Sequence, residues 1–349
     1  MKKFICIVLT LLLISIQAHA DFNAEDALQD TAQYIYSVVT EPQFGSIGGE
    51  WAVLGLARSG YDIPAQNFDE YYERIEQYVT ECNGVLHNRK YTEYSRLVVA
   101  LTAIDKDPTN VAGHNLLTPL GDYDSTVIQG INGAIWALIA LDCGSYDMPV
   151  NPAAKNQATR DMYLQHILDR QLEDGGFALG HPTPGKTADP DVTGMVVQAF
   201  SNYQHIPKVK EATDKALLCL SNLQDETGGY SSWDTENCES CVQVLVALCE
   251  MGIPIDDPRF VKNGNTLLDN LMSYYVPGQG FMHTKDNAQT NLMASEQGLY
   301  ALAAIKRIAN NQESLYNIKD GLQNNGTYDL TETAKKTAIH TVIYILLNL

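Results

Sequence analysis

Apolar segments of helical length recur along the chain, separated by clusters of Gly, Pro, Asn and Asp. This arrangement is typical of α-helices joined by turns, and the alternating Val, Ile and Thr runs that indicate strands are nearly absent. Six segments share one style, because each begins with polar residues and continues rich in Ala, Leu and Val. They cover residues 49–58, 93–104, 132–141, 191–200, 239–248 and 295–305.

Longer segments that carry charge on one face lie between these six. The apolar segments follow one another every 40 to 60 residues or so, roughly the period of a repeated helix pair. Because a helix that is apolar on nearly all sides must be buried on nearly all sides, we predict an all-α fold. The amphipathic helices are predicted at Asp69–Glu81, Arg160–Leu172, Lys208–Leu223 and Phe260–Tyr274.

Two concentric rings bury such helices most simply, with six apolar helices inside and six amphipathic ones outside. An open solenoid is the alternative. The two ends of the chain are similarly apolar and neither shows a polar capping repeat, which favours a closed α/α toroid.

A second repeat lies in the turns. The segments Gln171–Phe177 and Gln224–Tyr230 both read Gln-x-x-x-Gly-x-aromatic and lie 53 residues apart. Weaker copies are Gly48–Trp51 and Gly278–Phe281. Glycine permits positive φ after a helix, and the Gln side chain can bond the backbone groups that a helix end leaves unpaired. We interpret the motif as structural.

The first twenty residues have the form of a secretory signal peptide, with a basic start, an apolar stretch Phe4–Ile16 and a small-x-small site that ends at Ala20. The apolar stretch is shorter than the roughly 20 residues of a membrane span, although an uncleaved anchor is the alternative. We therefore expect a secreted or periplasmic chain that is cut near Ala20, with residues 21–349 forming one toroid domain. The apolar end Ala338–Leu349 is short and is interpreted as a closing helix.

Charge and cysteine content narrow the function. The whole chain carries a net charge of −19, and loss of the two lysines of residues 1–20 makes it more acidic. Acidity of this size argues against a nucleic-acid partner and against docking on anionic membranes.

Six cysteines follow residue 20, which permits three disulfides. Alternatively, Cys143, Cys219 and Cys249 lie in apolar runs and would pack as small hydrophobic side chains.

The turns resemble the glutamine–tryptophan repeats of squalene–hopene and oxidosqualene cyclases over most of the chain. That resemblance implies the α/α toroid that these cyclases share with protein prenyltransferase β subunits, cobalamin carriers and complement thioester domains. The segments Phe44–Gly60 and Ser295–Leu302 are also similar to exported bacterial proteins described as prenyltransferase-like. Because one fold hosts many functions, the resemblance implies the architecture more narrowly than the activity.

The start of the fourth apolar segment, Asp189–Thr193, resembles the Asp-x-Asp-Asp-Thr motif of squalene–hopene cyclases. The resemblance implies that Asp191 is a catalytic acid supported by Asp189, although Val192 replaces the last aspartate of the motif. Protonation of an alkene needs a strong acid, and loss of one partner weakens it. An ordinary helix cap, or contact with a ligand as in cobalamin carriers, are the alternatives.

The fifth apolar segment begins with Cys238-x-x-Cys241, and Glu239-x-Cys241 loosely resembles the zinc ligands of protein prenyltransferases. Those enzymes also use a His on the next inner helix, and here only His283 in the preceding loop is near. A zinc site needs three or four converging ligands, so we predict no metal and no cofactor.

In a toroid the polar starts of the six apolar helices would ring one mouth, where six helix N-termini suit polar ligand groups. Aromatic side chains there would supply apolar walls. The alternative is that these residues bond one another and plug the hole. Besides Asp191 and Glu93, the expected ring consists of Glu50, Trp51, Tyr94, Arg96, Asn132, Trp136, Thr193, Glu239, Gln243, Glu296, Gln297 and Tyr300.

Two functions follow. The first is binding without catalysis, of a hydrophobic or corrinoid-like small molecule or an extracellular protein partner, at this mouth. The alternative is a cyclase or mutase in which Asp191 starts polyene cyclisation and Trp51, Trp136 and Tyr94 stabilise cations through their π faces. Protein prenylation is a weaker third hypothesis, since the zinc His is missing.

Overall fold

The structure is a computed structural model that describes residues 24–286 and 288–319. The predicted signal peptide and the apolar C-terminal segment lie outside the described residues. The described chain is mostly helical, and one short hairpin, β1 (Ser231–Ser232) and β2 (Thr235–Glu236), adds its two strands.

Six apolar helices form the inner layer, at the positions predicted from the sequence. They are predominantly buried along their length because small and branched apolar side chains face neighbours on every side. They are α2 (Trp51–Ser59), α4 (Thr92–Ala103), α6 (Ile131–Cys143), α8 (Pro190–Phe200), α10 (Cys238–Glu250) and α12 (Leu292–Ala309).

The inner helices close into a ring. Each packs against the next, and α12 returns to pack against α2. Glycine brings some pairs close together: a Cβ on Gly194 of α8 would lie 2.9 Å from the backbone of Gln243 in α10. A Cβ on Gly55 of α2 would lie 3.1 Å from Leu299 of α12. The closed α/α toroid is therefore confirmed, and the open solenoid is not formed.

The outer layer alternates with the inner one. Its helices differ in length more than the sequence predicts, since α5 has a single turn and the predicted Phe260–Tyr274 helix is interrupted. Val261 is extended and ends the 3₁₀ helix Pro258–Phe260, and a turn with positive φ at Asn263 and Gly264 separates it from the next outer helix. The outer helices are α1 (residues 24–38), α3 (Ala65–Glu81), α5 (Tyr123–Thr126), α7 (Arg160–Leu168), α9 (Pro207–Leu223) and α11 (Leu267–Met272).

The Gln-Gly turns staple one outer helix to the next. Gln224 donates from Nε2 to the carbonyl of Gly228 in its own turn, at 2.9 Å, and to Phe260 of the following outer segment, at 2.9 Å. Gln171 makes the same pair of bonds to Gly175 and to Ala212 of α9, both at 2.8 Å. The structural interpretation of these two repeats agrees with these bonds.

The two weaker copies differ. The Gly278 turn has the same backbone closure, in which Val276 donates to the carbonyl of Gly280. It lacks the Gln, and the carboxylate of Asp30 in α1 accepts from the Gly278 amide instead. The Gly48–Trp51 segment is not such a turn: it is an irregular stretch that leads into α2.

Residues 313–318, which we call the strap, cross the ring at the C-terminal ends of the inner helices. Arg58 at the end of α2 donates to the carbonyl of Ser314 at 2.8 Å. Glu250 at the end of α10 accepts from the Ser314 hydroxyl at 2.7 Å and from the Tyr316 amide at 3.2 Å. Arg58 and Glu250, at the ends of two inner helices, thus hold the strap in place.

Apolar side chains of the strap complete the seal. Leu315 and Ile318 are buried, and the Ile318 amide donates to the carbonyl of Cys143 at the end of α6, at 2.7 Å. The ring of Tyr316 enters the toroid and meets Trp136 edge-on at 6.1 Å. The strap therefore closes this end of the ring.

All six cysteines after residue 20 lie in the described part of the chain and are free thiols. Cys143, Cys219 and Cys249 are buried, as expected of small hydrophobic side chains. Among the described residues no single helix has the length and hydropathy of a membrane span, and a bent pair, Tyr123–Gln129 with Ile131–Cys143, has them only jointly.

Candidate functional site

The N-terminal ends of the inner helices form the opposite mouth. There, the first two turns of each inner helix are mostly buried but include one to three partly exposed residues. In α6 only Asn132 and Trp136 of the first ten residues are partly exposed, and in α8 only Asp191 and Met195 are. A spacing of four residues places both members of a pair on one face of a helix, about 6 Å apart along its axis. The exposed faces therefore outline a funnel.

The funnel has two levels. The rim lies at the second residue of the five inner helices other than α2, and the inner tier lies about one turn deeper, with one residue from each of the six helices. The rim consists of Glu93, Asn132, Asp191, Glu239 and Met293. The inner tier consists of Trp51, Arg96, Trp136, Met195, Gln243 and Gln297.

Side chains of the inner tier contact one another. Trp51 of α2 and Trp136 of α6 lie 5.1 Å apart between ring centroids, although α4 separates their helices. The Arg96 guanidinium lies 6.0 Å from the Trp51 ring. Gln243 donates to Gln297 Oε1 at 3.0 Å. The tier thus presents two indoles on one side and two amides on the other.

Tyr300 forms the floor. It is only 3% exposed, its ring lies 6.1 Å from Trp51, and its hydroxyl accepts from Gln243 at 3.0 Å. Tyr316 of the strap lies on the far side, against Trp136. Below the inner tier, the axis of the ring is therefore closed by the protein's own side chains.

Two rim carboxyls lie side by side at the starts of α8 and α10. Burial, together with the nearby charges of Asp189 and Glu239, raises the pKa of Asp191 to about 6. Burial also raises the pKa of Glu239, against the opposing hydrogen bond from His283 Nδ1 at 2.7 Å. Oδ1 of Asp191 and Oε1 of Glu239 are buried without a partner in the described structure. Hydrogen-bond donors of a ligand would satisfy them.

A second carboxyl pair lies beneath the rim at α2 and α12. Glu50 accepts from Arg96 Nε at 2.8 Å, and burial, opposed by that guanidinium, raises its pKa to about 7. Glu296 accepts from the Gly48 amide at 2.7 Å, and burial with the nearby Glu50 raises its pKa to about 8. Both side chains are fully buried, so they support the wall of the funnel and do not form its accessible surface.

Three predicted site residues bond the scaffold. The Asp189 carboxylate caps α8 and accepts from Ser232. The Thr193 hydroxyl is buried and bonds both backbone groups of Phe177. The Tyr94 hydroxyl accepts from the Leu86 amide in the outer layer, at 3.0 Å. None of them is brought to the accessible faces of the funnel.

The Cys238 and Cys241 thiols do not converge with Glu239 and His283. Cys241 lies under the helix start, at the position that Thr193 occupies in α8, and its Sγ contacts the carbonyl of Leu267 at 3.2 Å. Among the described residues no group of three or more His, Cys, Asp and Glu side chains is placed to hold a metal ion.

Sequence reasoning missed Met195 and Met293, which add flexible apolar surface to the funnel. The signal was present, because Met195 lies four residues after Asp191 and Met293 lies four before Gln297. Tyr316 was missed as well, and no local pattern distinguishes it.

No family model matches this chain, and no curated protein matches it in sequence. Solved structures do match its fold. Protein geranylgeranyltransferase-I of Candida albicans, complexed with GGPP, is 12% identical with a TM-score of 0.55, covering 88% of this chain and 98% of that one.

A second solved structure, unsaturated glucuronyl hydrolase from Bacillus sp. GL1, is 12% identical with a TM-score of 0.51, over 81% of this chain and 95% of its own. A mutant unsaturated glucuronyl hydrolase from Streptococcus agalactiae is 10% identical with a TM-score of 0.50, over 86% of this chain and 93% of its own. At this identity the likeness shows the toroid fold alone.

Proposed function

We propose that this protein binds a small molecule in the funnel at the N-terminal mouth of the ring. The observation that carries the proposal is the partly exposed inner-tier residue on each of six mostly buried helices. A concave site with apolar walls and a few polar groups is the usual form of a ligand site. Export and a secreted or periplasmic location remain part of the proposal.

The chemistry of the funnel favours an uncharged ligand with one flat apolar face. Trp51, Trp136 and Met195 offer apolar contact, while Gln297 and the rim carboxyls offer hydrogen bonds. The acidic rim opposes an anionic ligand, since like charges repel in a partly desolvated site. A hydrophobic or corrinoid-like molecule would pack against the indole rings of Trp51 and Trp136. An extracellular protein partner would have to insert a side chain into the funnel.

Native mass spectrometry of the purified protein tests this proposal. We expect a retained small molecule in the wild type that is lost in Asn132→Trp, which fills the mouth. The matched control Gln165→Trp lies on the exposed face of α7 and should keep the ligand. Retention in Asn132→Trp, or a mouth that takes up no small molecule, would contradict it.

Acid catalysis is the second candidate, because Asp191 combines a raised pKa with an unpartnered oxygen at the rim. A carboxyl with a pKa of about 6 is a weak acid that is protonated below pH 6 and mostly ionised at pH 7. That property suits proton donation to a departing oxygen better than protonation of an alkene. The second candidate is therefore acid–base cleavage with Asp191 as proton donor and Glu239 as its neighbour.

The variant Asp191→Asn separates the two functions. A catalyst should lose turnover by a factor of 100 or more, as roughly expected for a general acid, while keeping its ligand. A binder should bind the retained ligand with nearly unchanged affinity and release it unmodified. Product analysis by mass spectrometry, with Asp161→Asn on exposed α7 as the control, distinguishes these outcomes.

A further inference from the structure

Trp233 is the most exposed large hydrophobic side chain in the described part of the chain, at 86%. It lies in the turn between β1 and β2. An isolated exposed apolar side chain needs no explanation in itself. Trp233 is unusual because of its backbone conformation.

The turn holds Trp233 in a costly conformation. Trp233 has φ 54° and Asp234 has φ 61°, so both central residues of a two-residue hairpin are left-handed. Asn-Gly is the usual pair in such a turn, and a bulky side chain at positive φ is a genuine outlier. Neither packing nor turn chemistry favours Trp here. Strained residues concentrate at ligand sites, where function retains them.

The hairpin lies beside the starts of α8 and α10. Ser232 donates to Asp189, the cap of α8, at 2.7 Å. Asn237, which follows β2, caps α10 and accepts from the Ser240 amide at 2.9 Å. The hairpin is thus anchored between the two helices that supply the adjacent rim carboxyls.

We infer that Trp233 forms an outer subsite of the funnel and that the ligand is a neutral oligosaccharide, with its terminal sugar in the funnel and a following sugar on Trp233. This inference rests on the proposed binding function. A sugar ring has an apolar C–H face that packs against indole, and hydroxyls that donate to carboxylates and amides. The funnel offers both kinds of surface.

Other occupants fit less well. A purely apolar ligand would leave the unpartnered oxygens of Asp191 and Glu239 without donors. An acidic polysaccharide would meet the acidic rim and a chain of net charge −19. A membrane surface would contact Trp233 but would not enter a funnel closed at Tyr300.

Calorimetry on the full chain tests the inference with cellohexaose, xylohexaose, mannohexaose and maltohexaose, each beside its monosaccharide. We expect at least one hexasaccharide to bind tenfold or more tightly than its monosaccharide. Trp233→Ala should remove this advantage and leave monosaccharide binding unchanged, and Trp233→Tyr should restore part of it. The control Leu218→Ala, 60% exposed on α9, should change neither.

Trp233→Asn adds a readout that a structural role would not produce. Asn tolerates the left-handed conformation, so we expect Tm to rise by about 2 °C while the hexasaccharide advantage is lost. A lower Tm with unchanged binding would assign Trp233 to the scaffold and overturn the inference.

Three further outcomes would overturn it. If none of the hexasaccharides binds, the proposal of a carbohydrate ligand is rejected. Native mass spectrometry of the retained ligand then tests separately whether the funnel binds a small molecule. Equal affinity for hexasaccharide and monosaccharide rejects the outer subsite and leaves the funnel standing. Co-sedimentation with phosphatidylcholine vesicles that depends on Trp233 assigns the hairpin to a membrane surface.

Discussion

At the scale of single residues, a buried carboxyl at the mouth makes the stability of the fold depend on pH. Glu296 is fully buried, and its pKa of about 8 lies above the ordinary value of 4.5. The folded protein therefore holds a proton at pH values where the unfolded chain has lost it. The stability that this group contributes is complete below pH 4.5 and is lost as pH rises to about 8. The full effect is at most about 5 kcal/mol.

Glu296→Gln should remove much of this pH dependence. The amide keeps an oxygen for the Gly48 amide and never ionises. We expect the variant to exceed the wild type in unfolding free energy by about 1–3 kcal/mol at pH 8.5, and to be nearly equal at pH 5. Urea unfolding at both pH values measures this. Exposed Glu41→Gln is the control, and a variant that keeps the wild-type pH slope would contradict the prediction.

Which residues reach the funnel was only partly predictable. Asp191 and Trp136 lie at helix starts, so the closing of the ring brings them to the mouth. Thr193 also lies at a helix start, yet it faces Phe177 because two residues turn a helix by about 200°. Helix position follows from the sequence, whereas the rotation of each helix depends on packing between distant segments.

At the scale of elements, the Gln staples explain how paired helices keep their spacing. The Gln224 side chain is 6% exposed and joins two carbonyls that belong to successive outer segments. Inner helices were predictable because burial on all sides leaves an unbroken apolar run. Short outer elements such as α5 were not, because one amphipathic turn resembles an ordinary loop in sequence.

Gln224→Ala should destabilise the protein by about 2–4 kcal/mol, because two buried carbonyls lose their donor. Gln66→Ala removes an exposed Gln that bonds Glu70 along its own helix, and it should cost less than about 0.5 kcal/mol. Equilibrium unfolding compares the two. Equal costs would show that the staple contributes nothing beyond an ordinary surface Gln.

At the scale of the whole molecule, the strap makes the ring a cup with one closed end. No local pattern predicts it, because its partners Arg58 and Glu250 lie far away in sequence and its own residues are mixed in polarity. Ring closure itself was predictable from the repeat of apolar helices.

Tyr316→Ala should destabilise the protein by about 3–5 kcal/mol, since it leaves a cavity beneath Trp136. Tyr316→Phe keeps the ring and should cost less than about 1.5 kcal/mol. Unfolding followed by tryptophan fluorescence, to which Trp136 contributes, reports both. An alanine variant as stable as the phenylalanine one would mean that the strap does not seal the axis.

The strap also limits the route by which a ligand can enter and leave the funnel. With Tyr316 and Tyr300 across the axis, whatever enters between the rim carboxyls must leave the way it came. A long polymer cannot be threaded; it can only offer a terminus. On the carbohydrate proposal, the protein would therefore bind glycan chains at their ends. Cutting each glycan in two would double the number of ends to which the protein can bind.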